Sequence, residues 1–345
     1  CESHNTVGSV EGARRPSPTS PGDVDADDRS GDVRDVDRAD IAPLVGRGTV
    51  ELVAGGPPCQ GFSEVVSPDG SDERNHLFND FVDWVDELRP GAALFENVRG
   101  IQNTADGKFL DAVRTAFDRI GYEVSHRVVT SSDFGVPQHR RRLVMIATRP
   151  EITENPLEGF ELEPLRTPGV IDGIGDLPEV GPGEVAVEYD REPKTVLQRD
   201  LRGDSERLGS HRAASHSDEM VEMISHIPDG GDRTAIPDEL QPSSGYHNSY
   251  SRLQSDAPAV AITSNMSKPS SARCIHPFQD RGLTPREGAR LQTFPDGYRF
   301  EGGLVARRRQ IGNAVPPYLA EALGYYLKQA VFDRDLTDAD RRRIR

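Results

Sequence analysis

Residues 50–54, Val50-Glu51-Leu52-Val53-Ala54, form a short, branched, apolar run of the kind expected of a buried strand. Gly55 and Gly56 let the chain turn after it, and Pro57 and Pro58 stiffen the loop that carries Cys59. From residue 75 the period changes. Leu77, Phe78, Phe81, Val82, Val85 and Leu88 recur at helical spacing, and Pro90-Gly91 end the helix. A second apolar run, Ala92-Ala93-Leu94-Phe95, is read as a strand that stops at Glu96-Asn97-Val98. Strand, helix and strand at these lengths predict a right-handed crossover with parallel neighbours. Cys59 and Glu96 would then leave the same sheet edge, where open α/β sheets bind their ligands.

The alternation continues downstream. Phe109, Leu110, Val113, Phe117 and Ile120 mark a helix, residues 122–129 a strand, 134–137 a turn and 143–147 a further strand. Arg140 and Arg142 flank Arg141 at the entry to that strand, so they share one face. From residue 150 to about 272, Pro, Gly, Asp and Ser become frequent and only residues 218–226 read as a helix. Thr284, with Pro285 next and Glu287 three residues on, starts another helix. A last one runs from 317 to about 332. Residues 8–30, rich in Pro, Ser, Gly, Asp and Arg without periodicity, read as a flexible insertion. The class is α/β, with a Rossmann-like sheet and a smaller second domain.

Composition narrows the picture. The 345 residues carry a net charge of −16, and four of the 41 basic residues are lysine. This balance points to a surface adapted to high salt. Full structure in dilute buffer, with no gain at molar salt, would count against that reading. Cys1, Cys59 and Cys274 have no paired spacing, which argues against a disulfide framework or zinc site and fits a reducing cytoplasm. The histidines lack ligand spacing, so no metal is assigned. No run approaches the length that spans a bilayer.

Cys59 by itself is also compatible with a small apolar filler, and the arginines with a solvated strand end. Four motifs in one order change the weighting. Pro57-Pro58-Cys59-Gln60, Glu96-Asn97-Val98, Gln138-His139-Arg140-Arg141-Arg142 and Arg309 to Pro317 resemble ordered motifs of the cytosine-C5 DNA methyltransferases. Arg281 to Pro295 resembles the ninth motif of that family.

The resemblance implies a catalytic set of Cys59 as nucleophile, Glu96 as its acid–base partner, and Arg140 and Arg142 bracing that acid. It implies S-adenosyl-L-methionine as cofactor, held by Asp32, Val33, Pro57, Leu77, Asn313 and Val315. It also puts Gln60, Ser63 and Gln138 at the DNA. On sequence alone Asp32 reads equally well as an ordinary turn acid. Residues 1–150 would be a partial catalytic domain, 151–300 a target-recognition domain and 301–345 the return to the catalytic domain. Tyr246, His247, Asn248, Tyr250, Arg252 and Asn265 are side-chain types able to touch bases or phosphates, each also explicable structurally. The partner implied is double-stranded DNA, met by a monomeric protein that works beside a cognate restriction endonuclease. The family's glycine-rich cofactor loop, Phe-x-Gly-x-Gly, does not occur and is expected upstream of Cys1. The alternatives are a catalytically inactive fragment or DNA-binding remnant, and a methyltransferase acting on RNA.

Overall fold

The structure, a computed structural model, describes residues 36, 41, 50–57, 76–101, 108–153, 156–157, 160, 167–243 and 249–334. Cys59, Gln60, Ser63, Asp32, Val33, Tyr246, His247 and Asn248 lie outside them, as does the insertion at 8–30.

Strand β1 (Leu52–Gly55) leads through helix α1 (His76–Leu88) to β2 (Ala92–Val98), and the two strands pair in parallel, Leu52 opposite Ala92 and Gly55 opposite Phe95. The expected crossover is therefore present. Helix α2 (Lys108–Arg119) leads to β3 (Glu123–Thr130), two residues pair as β4 (Gln138–His139), and β5 (Arg141–Thr148) returns between β2 and β3, antiparallel to both. The sheet order is β1-β2-β5-β3.

Both sheet faces are covered, which explains why β5 reads as an unbroken apolar run. Its Leu143, Met145 and Ala147 enter a cluster with Phe78, Phe95, Phe109 and Phe117, while Val144 and Ile146 enter another with Leu319, Leu323 and Leu327. β2 runs three residues beyond its expected end at Phe95, because β5 keeps pairing with it as far as Val98 opposite Arg142. Glu96 is thus fixed in a ladder rather than carried on a loop. The same alternation puts Leu94, Glu96 and Arg142 on the face of Val144 and Ile146.

The second unit is built from α3 (Val170–Ile174), α4 (Val196–Arg202), α5 (Asp218–Ser225), the short strands β6 (Ser251–Arg252), β7 (Ala259–Val260) and β8 (Arg273–Ile275), α6 (Pro285–Leu291) and α7 (Leu304–Asn313). Its cluster joins Val170, Leu177, Ile262, Leu291, Phe294 and Ile311. The chain changes cores between Ala314, which packs on this cluster, and Val315, which packs on the sheet. Helix α8 (Pro317–Tyr326), extended by a π-helical turn at Leu327–Val331, then covers the sheet's second face.

The Thr284 cap forms as expected: Glu287 N donates to Thr284 Oγ1 at 3.1 Å and Thr284 N donates to Glu287 Oε2 at 2.8 Å. Around it lies a buried polar cluster. Arg281 holds both Glu287 carboxylate oxygens at 2.7 and 2.8 Å, and His211 Nδ1 lies 3.0 Å from Thr284 Oγ1. His276 Nδ1 accepts from Phe278 N and Gln279 N, which requires the neutral ring. Burial holds His276 down at about 4, with Glu287 opposing and Arg281 and Arg252 assisting. Its folded pKa lies below the unfolded value, so the stability it contributes is present above pH 6.5 and is lost as pH falls towards 4. The loss should reach on the order of 3 kcal/mol. Urea midpoints of the wild type should fall across that window, and those of His276→Gln should fall less steeply. Equal slopes would contradict the assignment.

Candidate active site

The sheet edge at the carboxyl ends of β1 and β2 brings Glu96 together with Arg142 and with the backbone at Pro57. Asn97 Nδ2 donates to Pro57 O at 3.0 Å, tying the loop that leads to Cys59 onto the strand that carries Glu96. A Cβ on Gly55 would sit 2.9 Å from the Phe81 ring, so the chain leaves β1 against α1 only because a glycine stands there. A Cβ on Gly56 would lie 3.5 Å from Glu96 Oε2, so this backbone runs alongside the carboxylate.

Arg142 Nε lies 2.7 Å from Glu96 Oε1, with both side chains largely buried. The contact is a close ion pair. Arg140 is buried. Its Nη1 donates to Ile262 O at 2.9 Å and its Nη2 to Gly312 O at 2.8 Å, while its Nε is buried without a partner among the described residues. Burial raises the Glu96 pKa, and Arg142 and then Arg140 pull it back. Burial and the Arg142 cation lower Arg140 to about 9, and it stays charged at neutral pH. A largely buried carboxyl group and a guanidinium N–H that is unpaired among the described residues are what a polar ring edge would satisfy.

Of the residues expected at the cofactor, Pro57 and Leu77 are buried, Val315 is half-buried against the cluster that includes Leu52 and Leu94, and Asn313 is exposed. Gln138 departs from its expected role. Its side chain is fully buried, Nε2 donating to Leu291 O and Gln292 Oε1 and Oε1 accepting from Ile262 N, so it joins the two units instead of facing DNA. Two residues weighed as base or phosphate readers are also internal. Arg252 is buried and bonded to the Ile224, Ile227 and His276 carbonyls, and Tyr250 is buried with Met223 and Ile236. Asn265 is exposed, in a run with Thr263 and Ser264. The Asn97–Pro57 bond was not anticipated, although Asn97 lies inside a motif the sequence singles out.

Fold and site together define a two-unit α/β protein with a largely buried acid–arginine pair at the carboxyl end of a covered sheet. The chain belongs to the C-5 cytosine-specific DNA methylase family, whose model matches residues 26–329. It is 38% identical over 282 residues to the type II methyltransferase M1.HphI of Haemophilus parahaemolyticus, covering 79% of this chain and 67% of that protein. It is 30% identical over 370 residues to the type II methyltransferase M.AgeI of Thalassovita gelatinovora, covering 83% and 85%. Among solved structures, a DNA modification methyltransferase encoded within an E. coli prophage superposes with a TM-score of 0.70 at 24% identity, covering 88% of this chain and 86% of that one. That likeness supports the fold.

Proposed function

We propose that this chain is a DNA (cytosine-5)-methyltransferase that acts on a cytosine turned out of duplex DNA, with S-adenosylmethionine as methyl donor. The observation that carries the reading is the largely buried Glu96 carboxylate, held by Arg142 at 2.7 Å beside the loop that leads to Cys59, with the buried guanidinium of Arg140 two residues before Arg142. A pyrimidine offers N3 and O2 along one edge, and these groups match them. Cytosine cannot reach such a site while stacked, so the base must be extruded.

In this mechanism the Cys59 thiolate adds to C6. The C5–C6 π pair becomes a C4–C5 bond, and the C4–N3 pair takes a proton from Glu96 at N3. The two arginine cations beside Glu96 favour the thiolate. When bound, S-adenosylmethionine supplies the electrophilic methyl group to C5. Loss of the C5 proton to water then restores the ring, expels the thiolate and returns the N3 proton to Glu96. Among the described residues, the apolar surface of Val315 with the exposed amide of Asn313 fits the methionine end of that donor, and Pro57 and Leu77 line the strand side.

The recognition domain, expected at 151–300, would run from Val170 to the core change after Ala314, since Leu157 and Phe160 pack on the sheet and Ile311 on the second unit, with Thr263, Ser264 and Asn265 facing DNA. The protein would act as a monomer, in a reducing cytoplasm, beside a restriction endonuclease of the same specificity. Among the described residues no helix is long and apolar enough to cross a membrane.

The test is covalent capture. A duplex carrying 5-fluorocytosine, offered with the methyl donor, should yield a denaturation-resistant protein–DNA adduct, and Cys59→Ala should yield none. Duplex binding without capture by the unaltered chain would instead favour the DNA-binding remnant.

A further inference from the structure

Arg140 reaches the site from a joint that no catalytic role explains. β4 pairs in parallel with β7 of the second unit, Gln138 opposite Ala259 and His139 opposite Val260. Beyond β7, both backbone polar groups of Ile262 are taken by this segment: its N donates to Gln138 Oε1 at 2.7 Å and its O accepts from Arg140 Nη1 at 2.9 Å. At the carboxyl end of α7, two successive carbonyls are taken in the same way, Ile311 O by Gln292 Nε2 at 2.7 Å and Gly312 O by Arg140 Nη2 at 2.8 Å. Gln138 Nε2 closes the circuit on Gln292 Oε1 at 3.0 Å.

Gln138, Gln292 and Arg140 are all buried, so each bond is made in a low dielectric and each loss would strand a polar group. The joint has no slack. A Cβ on Gly312 would stand 2.3 Å from Ser264 N. The chain leaves the joint at Ile262 into the exposed run Thr263–Asn265, and at Gly312 into Asn313.

We infer that Gln292 and Gln138 are positioning residues: by clamping Ile262 and Ile311 they fix the two carbonyls that hold the Arg140 guanidinium beside Glu96. The inference rests on the methyltransferase reading above and adds to it a route by which the seating of the second unit sets the geometry of the acid. Among the described residues, the charged groups that act on Glu96 are Arg142 of β5 and Arg140 at the β4–β5 junction. Loosening the joint lets Arg140 back away, which weakens the cation that stabilises the Glu96 carboxylate.

The experiment is single-turnover methyl transfer by the full chain, for wild type, Gln292→Met and Gln138→Met. Rates are expressed per active site counted by 5-fluorocytosine capture, so unfolded protein does not enter. Each Met variant keeps the side-chain length and loses the bonds. Each should be slower by roughly tenfold or more per captured site, with the basic limb of its pH–rate profile moved to higher pH and duplex binding retained. If the Met variants do not fold, Gln292→Glu keeps an oxygen for Gln138 but no donor for Ile311 O, and should show the same loss of rate. Wild-type rates per captured site with an unmoved basic limb would overturn the positioning role alone. Absence of capture by the unaltered chain would overturn the methyltransferase reading, and the positioning role with it.

Discussion

Arg290→Met should destabilise the protein by about 3–5 kcal/mol, seen as a shift of the urea or thermal midpoint. Arg290 is fully buried. Its Nε and Nη2 donate to Asp296 Oδ1 and Oδ2 at 2.8 and 2.6 Å, and its Nη1 donates to Asp176 Oδ1 at 2.5 Å and to Gly173 O at 3.0 Å. One guanidinium therefore neutralises two buried carboxylates from different parts of the second unit. These partners raise its pKa against the opposing cost of burial. Methionine fills similar space but leaves both carboxylates uncompensated. Asp296 would retain Arg286 at 3.5 Å and the Tyr189 hydroxyl at 2.5 Å, whereas Asp176 would retain no cation among the pairs described. The damage should therefore be largely relieved when Asp176→Leu is added, because a buried ion pair replaced by apolar groups costs far less than a broken one. A single-variant loss below about 1 kcal/mol would show that the network behaves like a surface pair.

Glu96→Gln should lower the methyl-transfer rate by about 10²–10⁴-fold while leaving the fold intact, as judged by an unchanged circular dichroism spectrum. The amide keeps the shape and can still meet N3, but it has no acidic proton to give as sulfur adds to the ring. Burial raises the Glu96 pKa above the ordinary 4.5, so its protonated form persists to higher pH than an exposed carboxyl group would allow. The wild-type rate should accordingly fall as pH rises through that raised value, and this limb should vanish in Glu96→Gln. Stability has the same sign: the contribution of a raised carboxyl group is present below its unfolded pKa and is lost as pH rises through the folded one. A variant within tenfold of wild type would remove Glu96 from the chemistry.

The parts of this molecule legible in its sequence are those where local chemistry and tertiary role agree. β1, α1, β2 and α2 follow from period and punctuation alone, and β5 from its apolar run. The Thr284 cap was legible because T-x-x-E specifies its own hydrogen bonds. The same signature, Thr195 with Gln198, starts α4 and passed unread because Pro-, Gly- and Asp-rich sequence surrounds it.

What could not be read was long-range. Gln138 looks like a polar residue free to meet DNA, and only the arrival of Ile262, Leu291 and Gln292 from more than a hundred residues away makes it internal. Arg281, Arg286 and Arg290 lie in the segment that resembles the ninth motif, and nothing local shows that each is buried, because the Val180, Gly209 and Gly173 carbonyls that receive them come from distant turns. The extent of β2, and with it the rigid seating of Glu96, was set by pairing with β5 and not by its own residues.

The most direct measurement of the proposed reaction is nucleoside analysis of duplex DNA after incubation with methyl-labelled S-adenosylmethionine and the full chain. Label should appear in 5-methyl-2′-deoxycytidine and be abolished by Cys59→Ala. Label on the exocyclic amine of cytosine or on adenine, or no transfer from a folded, duplex-binding protein, would contradict that reaction.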